Sequence, residues 1–273
     1  MDALRQLAVT LSMAACGFTA VRSSGLAGGP SVADAAGGAF APGRTLLSLD
    51  TGAFLVWIPI YLGLLAYTVF QWWPSQRRSP RQRRMGWLAA ASMLLNAAWL
   101  LAAQAGSVGL TFLAMLALLP ALAAAVHILN LWPDASRGDS LLVDAPMGLY
   151  LGWIMAAAGA NAAIWLAARQ VRFGDATVWA VLAVAAISYA GAAAAMSGRG
   201  RMSVALGLGW ALAWLVAGRW AGEPHSVPVA VAAGFGCFFV LVCALARRFQ
   251  VEHHERLSLR RGYPLFVLTP PPS

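Results

Sequence analysis

Residues 144–167 read DAPMGLYLGWIMAAAGANAAIWLA, and this stretch decides the fold class. After Asp144 it holds no charged residue. A helix of this length, rising about 1.5 Å per residue, crosses the roughly 30 Å hydrocarbon core of a bilayer. Tyr150, Trp153, Asn161 and Trp165 follow one another at intervals of three, eight and four, which places them on one helix face. The stretch therefore predicts a membrane-spanning helix with one aromatic, partly polar face.

Apolar runs of similar length recur along the whole chain of 273 residues, of which 60% are hydrophobic and 11% charged. Inside lipid only helices and closed barrels satisfy their backbone polar groups, and runs of about 20 residues are typical of helices. We therefore predict an all-α fold, a polytopic membrane helix bundle with about eight transmembrane helices. The predicted segments are 4–21, 53–72, 87–103, 108–131, 144–167, 176–196, 202–217 and 227–246.

The basic residues are all arginines, and most of them lie between the apolar runs. The densest cluster, in the 73–86 link, predicts that this link is cytoplasmic, because short cytoplasmic links carry an excess of basic residues. Alternation then places both termini in the cytoplasm. We expect an integral protein of a bacterial inner (cytoplasmic) membrane. Because topology explains the net charge of +9, no nucleic-acid partner is expected.

The first segment and the cysteines bear on processing and metal binding. Residues 1–21 are either a retained first helix, which the acidic Asp2 favours, or a cleaved signal peptide.

Cys16, Cys237 and Cys243 all lie in apolar runs, and no Cys-x-x-Cys pair exists. Neither a structural zinc site nor a disulfide framework is therefore predicted.

Three of the segments carry aromatic and amide side chains on one face, and polar groups at membrane depth usually face protein or water. Together these faces predict a shared pocket for a flat, apolar ligand, with aromatic rings to stack on it and amides to orient its polar edges. The alternative is structural, with asparagines joining helices and tryptophans filling gaps. The predicted ligand-binding residues are Trp57, Tyr61, Asn96, Trp99, Tyr150, Trp153, Asn161 and Trp165.

Small residues form a ridge along the segment quoted above, at Gly148, Gly152, Ala156 and Ala160. Such a ridge lets two helices approach closely. Two interpretations stay open, which are packing inside the bundle and a seam between two copies of the chain.

These motifs resemble the tryptophan-rich sensory protein/translocator protein (TspO/MBR) family, which is built on five transmembrane helices. That family's second helix carries Phe, Trp and Tyr at the spacing of Phe54, Trp57 and Tyr61, and its third helix carries the Leu-Asn-x-x-Trp found here at 95–99. The resemblance covers about residues 1–168. The residues that match the fifth-helix pattern are Tyr150, Trp153, Ala157, Asn161, Ile164 and Trp165.

The chain departs from the family pattern in several places. Leu149 and Ala160 replace a proline and a leucine of the fifth-helix motif. The 22–52 loop contains no Trp or Tyr, so any cap over the cavity must be built differently from the family's aromatic cap. The last three segments have no counterpart in a five-helix fold. The predicted domains are a five-helix domain at 1–168, a three-helix transmembrane extension at 169–246 and a basic cytoplasmic tail at 247–273.

The resemblance implies a membrane protein that binds a tetrapyrrole, such as a porphyrin or haem, or a sterol-like molecule, for sensing or transport. It also implies a homodimer. We predict no catalytic residue, no metal and no resident cofactor, so a porphyrin or haem enters only as a ligand. Light-dependent degradation of porphyrins, associated with some family members, is the enzymatic alternative. A further alternative is a non-enzymatic structural or assembly subunit of a larger membrane complex, which the missing cap and the extra helices favour.

Overall fold

The computed structural model describes residues 2–25, 30–134, 136–171 and 174–260, and these residues form helices and connecting turns. Eight of the helices are long and apolar enough to cross a membrane, which confirms the predicted all-α bundle. The second begins as a tight 3-10 turn over Thr51–Val56 and becomes α-helical at Trp57. The eight helices are α1 Asp2–Arg22, α2 Thr51–Phe70, α3 Pro80–Gln104, α4 Val108–Leu131, α5 Ala145–Ala168, α6 Ala176–Met196, α7 Met202–Trp220 and α8 Val227–Arg260.

Two helices are longer than the predicted segments, because each includes polar residues beyond its apolar run. α3 begins at Pro80, because proline suits the first turn of a helix. Its early arginines also find partners in other elements, such as Asp2, which lies 2.7 Å from Arg83. α8 continues through Arg260, so the first part of the predicted 247–273 tail is helical. Residues 261–273 of that tail lie outside the described residues.

The helices alternate in direction, so each link falls at one of two ends of the bundle. The arginine-rich end holds the starts of α1, α3, α5 and α7, as the pairs Arg83–Asp2 and Arg201–Asp144 show. The far end holds the link between α1 and α2 and the link between α7 and α8, which Arg219 joins. The assignment of the arginine-rich end to the cytoplasm stays a prediction.

A close helix contact joins α5 to α7. A methyl group built on Gly152 would lie 2.2 Å from the carbonyl oxygen of Val204, and one on Gly207 would lie 2.3 Å from that of Leu149. The small-residue ridge of α5 therefore packs within the chain at Gly148 and Gly152, which confirms the packing interpretation there. A homodimer would have to use another face of the bundle.

A buried ionic network closes the arginine-rich end around Asp144. The Asp144 carboxylate accepts hydrogen bonds from Arg81 at the start of α3 and, at 2.8 Å, from Arg201 just before α7. Arg201 also donates to the side-chain oxygen of Asn130 in α4, at 2.6 Å.

Buried apolar residues from before and after residue 168 belong to one core. Outside that core, leucines, valines and phenylalanines are exposed on the helix faces, as a surface in contact with lipid requires.

Candidate functional site

A small cavity lies near the far end of the bundle, between the helices that carry the family-like motifs. Its volume is about 40 Å³. Side chains of α2, α3, α4 and α5 form its walls, and residues of the α1–α2 link close it. The lining residues are Phe40, Ser48, Leu49, Phe54, Trp57, Trp99, Met115, Trp153, Ala157, Ala160, Asn161 and Ile164.

Tryptophans on three helices make the cavity aromatic. The ring of Trp57 lies edge-on to that of Trp153, with 6.0 Å between centroids. The ring of Phe54 also lies edge-on to that of Trp153, with 5.9 Å between centroids. These are the edge-to-face separations that aromatic pairs favour. No charged side chain lines the cavity, so its chemistry suits an apolar or weakly polar molecule.

Two polar groups in the lining differ in how well they are satisfied. The Asn161 side-chain oxygen accepts a hydrogen bond from Nε1 of Trp99 at 3.0 Å, and its amide nitrogen donates to the carbonyl oxygen of Ala157. Trp153 is only 1% exposed, and its Nε1 has no partner among the described residues. A buried donor without an acceptor is costly, so the N–H of Trp153 is a polar group that the described residues leave unsatisfied.

Three other predicted residues form a second layer behind the cavity wall. The side-chain nitrogen of Asn96 donates to the hydroxyl oxygen of Tyr61 at 3.1 Å and to the sulfur of Cys16 in α1 at 3.4 Å. Tyr150 is fully buried, and its hydroxyl reaches the carbonyl oxygen of Ser92 at 3.4 Å. Trp57 connects the two layers, because its ring stacks on Tyr61 at 5.1 Å. Tyr61, Asn96 and Tyr150 therefore pack behind the cavity wall and do not line the cavity.

The eighth predicted residue, Trp165, lies apart from this cavity. Its ring stacks on Phe112 of α4 with centroids 4.8 Å apart, and the guanidinium of Arg169 lies 5.7 Å from its centroid. Ile164, the residue before Trp165, does line the cavity, so depth in the bundle does not explain the difference. The side chain of Trp165 instead packs against Phe112.

The cap over the cavity was not predicted from the sequence. We define the cap as residues 39–50 of the link between α1 and α2. In it, Phe40 lies edge-on to Trp99 at 5.4 Å, and Ser48 and Leu49 complete the closure. A signal was present, because Phe40 is the one aromatic residue of the 22–52 loop and stands next to the turn at Pro42-Gly43. The cap therefore uses one phenylalanine where the family uses several aromatic residues.

The size of the closed cavity limits what it can hold. One water needs about 10–15 Å³, so a cavity of about 40 Å³ holds only a few. Pockets for drug-sized ligands are typically about 300–1,000 Å³. A tetrapyrrole therefore does not fit into the cavity at its present size.

Comparison with known proteins places the site in a family. The family model described as TSPO-like protein matches residues 16–246, which include all four cavity-forming helices. The match continues past residue 168, where the motif resemblance ends, and takes in α6, α7 and most of α8. No curated protein and no solved structure matches the chain.

Proposed function

The chain belongs to the TSPO-like protein family, and from that premise we propose that it binds a flat hydrophobic ligand, of the tetrapyrrole class, for sensing or transport across the membrane. The proposal rests on one observation above the others. The cavity is walled by three tryptophans, Trp57, Trp99 and Trp153, and the buried N–H of Trp153 has no acceptor among the described residues. Such a wall offers ring faces for stacking and one donor for an acceptor atom on the ligand.

The size of a tetrapyrrole requires an open form of the protein. In the open form the cap leaves the cavity, and Phe40 separates from Trp99. The ligand ring then takes the place of Phe40 against Trp99 and extends toward Trp153.

Replacement of Trp153 with alanine tests this placement. We expect the variant to bind protoporphyrin IX about tenfold more weakly or worse, because it loses both the ring face and the donor; tenfold corresponds to about 1.4 kcal/mol. The measurement is a titration of purified protein in detergent, followed by quenching of its tryptophan emission. The matched control is Trp87→Ala, which removes a tryptophan that is 47% exposed on α3, outside the cavity.

The two variants separate a specific site from partition into detergent. Saturable quenching in the wild type and in Trp87→Ala, weakened in Trp153→Ala, supports the proposal. Equal affinity in all three proteins contradicts the placement of the ligand at Trp153. Absorption spectra taken under illumination test the enzymatic alternative, because loss of the porphyrin bands would indicate degradation.

A second candidate function is that of a structural or assembly subunit in a larger membrane complex. The small volume of the closed cavity favours it, because a cavity of about 40 Å³ is filled well enough to be a packing feature. Purification in mild detergent distinguishes the two candidates. Stoichiometric partner proteins would support the assembly role, whereas a chain isolated alone that binds porphyrin saturably would support the first proposal.

A further inference from the structure

α7, in the three-helix extension, ends in a buried arginine that reaches the cap. Arg219 lies in the last turn of α7 and is 1% exposed. Its guanidinium donates to the carbonyl oxygens of Thr45 at 3.4 Å and Ser48 at 3.5 Å, both in the cap. It also donates to those of Glu223 at 3.3 Å and Pro224 at 2.9 Å, in the link between α7 and α8.

The acceptors of Arg219 are backbone atoms of two separate links. A buried cation needs acceptors for its N–H groups, and here the polypeptide backbone provides them. The bonds therefore hold the path of the cap backbone itself. If the cap left, Arg219 would lose the acceptors at Thr45 and Ser48. The guanidinium thus favours the closed position of the cap.

Two tryptophans of α7 support the segment that follows the cap. Nε1 of Trp210 donates to the carbonyl oxygen of Ala53 at 2.8 Å. The ring of Trp214 lies against Gly52, where a methyl group would come within 2.1 Å of its nearest carbon. At the other end of the cap, a methyl group on Gly43 would lie 2.6 Å from the carbonyl oxygen of Glu223. The extension therefore contacts the chain from Gly43, in the α1–α2 link, to Ala53, in the first turn of α2.

We propose that Arg219 is a positioning residue that holds the cap closed over the cavity, so that the three-helix extension controls entry and release of the ligand. The part of the proposal that concerns the ligand rests on the proposed function, whereas the control of the cap by Arg219 does not. The held segment includes Ser48 and Leu49, which line the cavity. Because the cavity has room for only a few waters while the cap is in place, a larger ligand binds only after the cap moves, and the rate of cap opening limits binding.

Cysteine labelling measures the opening of the cap without any ligand. Leu49→Cys places a thiol on the buried, cavity-lining face of the cap, in a background where Cys16, Cys237 and Cys243 are replaced by alanine. The measurement is the rate of reaction with a water-soluble maleimide. We expect Arg219→Ala to raise this rate about tenfold or more, and Arg219→Lys to raise it less, because an ammonium keeps the charge but not the planar fork of donors.

The matched control is Arg44→Ala, which removes an exposed arginine from the cap itself and leaves the Arg219 contacts in place. Thermal unfolding shows which variants fold. Equal labelling rates in the wild type, Arg219→Ala and Arg219→Lys overturn the proposal. If Arg219→Ala does not fold, an unchanged rate in Arg219→Lys is sufficient to overturn it.

Porphyrin kinetics on the same proteins separate this proposal from the proposed function. If the ligand enters under the cap, association and dissociation should both accelerate in Arg219→Lys, with a smaller change in affinity. Faster labelling without any saturable porphyrin binding would retain the role of Arg219 and reject the tetrapyrrole. Saturable binding with unchanged labelling and unchanged ligand kinetics would retain the ligand and reject the role of Arg219.

Discussion

Replacement of Gly152 with alanine is expected to destabilise the protein by about 3 kcal/mol, because overpacking of a rigid contact typically costs about 1–3 kcal/mol and occasionally more. The added methyl group would lie 2.2 Å from the carbonyl oxygen of Val204 and 2.7 Å from the backbone nitrogen of Leu208. Neither backbone atom can rotate away, so α5 and α7 must separate. For a chain of this size the loss corresponds to a fall of about 6–12 °C in melting temperature. Thermal unfolding in detergent measures it.

Gly17→Ala is the matched control. Gly17 lies inside α1, and a methyl group there would have no neighbour within 4 Å. Alanine in a helix interior is favoured over glycine by about 0.8–1.0 kcal/mol, so this variant should be neutral or slightly more stable. Equal melting temperatures for Gly152→Ala and the wild type would mean that α5 and α7 are not in the close contact described above.

Removal of the Asp144 carboxylate is expected to cost about 3–5 kcal/mol, because it takes the ion-pair partner from the buried Arg201 and leaves the buried Arg81 only its longer contact with Asp139, at 3.9 Å. In Asp144→Ala, Arg81 and Arg201 lose an acceptor that they share. Their side chains are 7% and 11% exposed, so solvent compensates little. The melting temperature in detergent should fall by roughly 6–20 °C.

Asp2→Ala provides the comparison for this prediction. Asp2 pairs with Arg83, whose side chain is 53% exposed, so water replaces the lost partner. The melting temperature of Asp2→Ala should stay close to that of the wild type. A similar fall in both variants would show that the effect follows from the loss of any acidic residue and not from the network around Asp144.

The helices could be predicted from the sequence because lipid leaves the backbone few choices. Runs such as 108–131 and 176–196 agree with α4 and α6 at both ends, since the hydropathy changes sharply there. The early start of α3 and the long α8 could not be predicted in this way. Those ends depend on partners distant in the sequence, such as Asp2 for Arg83, and on ion pairs along the helix, such as Arg248 with Glu252.

The candidate site could be predicted only in part. Helix periodicity and the family motifs identified Trp57, Trp99, Trp153 and Asn161, because each pattern defines one helix face. Periodicity could not separate the cavity wall from the layer behind it, which depends on how three helices meet. Loop residues have no such periodicity, so the role of Phe40 appeared only with the fold. The contact between Arg219 and the cap joins segments far apart in the chain, which the sequence pattern does not indicate.

A cavity-filling substitution tests the central claim, that the ligand binds under the cap, while every tryptophan that reports binding stays in place. Ala157→Phe puts a ring into the cavity, whereas Ala167→Phe adds the same ring to an exposed position on the same helix. The measurement is the affinity for protoporphyrin IX of the wild type and these two variants, each first shown to be folded by thermal unfolding. We expect Ala157→Phe to bind about tenfold more weakly or not at all, and Ala167→Phe to bind as the wild type does. Saturable binding of equal affinity in all three proteins would contradict the claim.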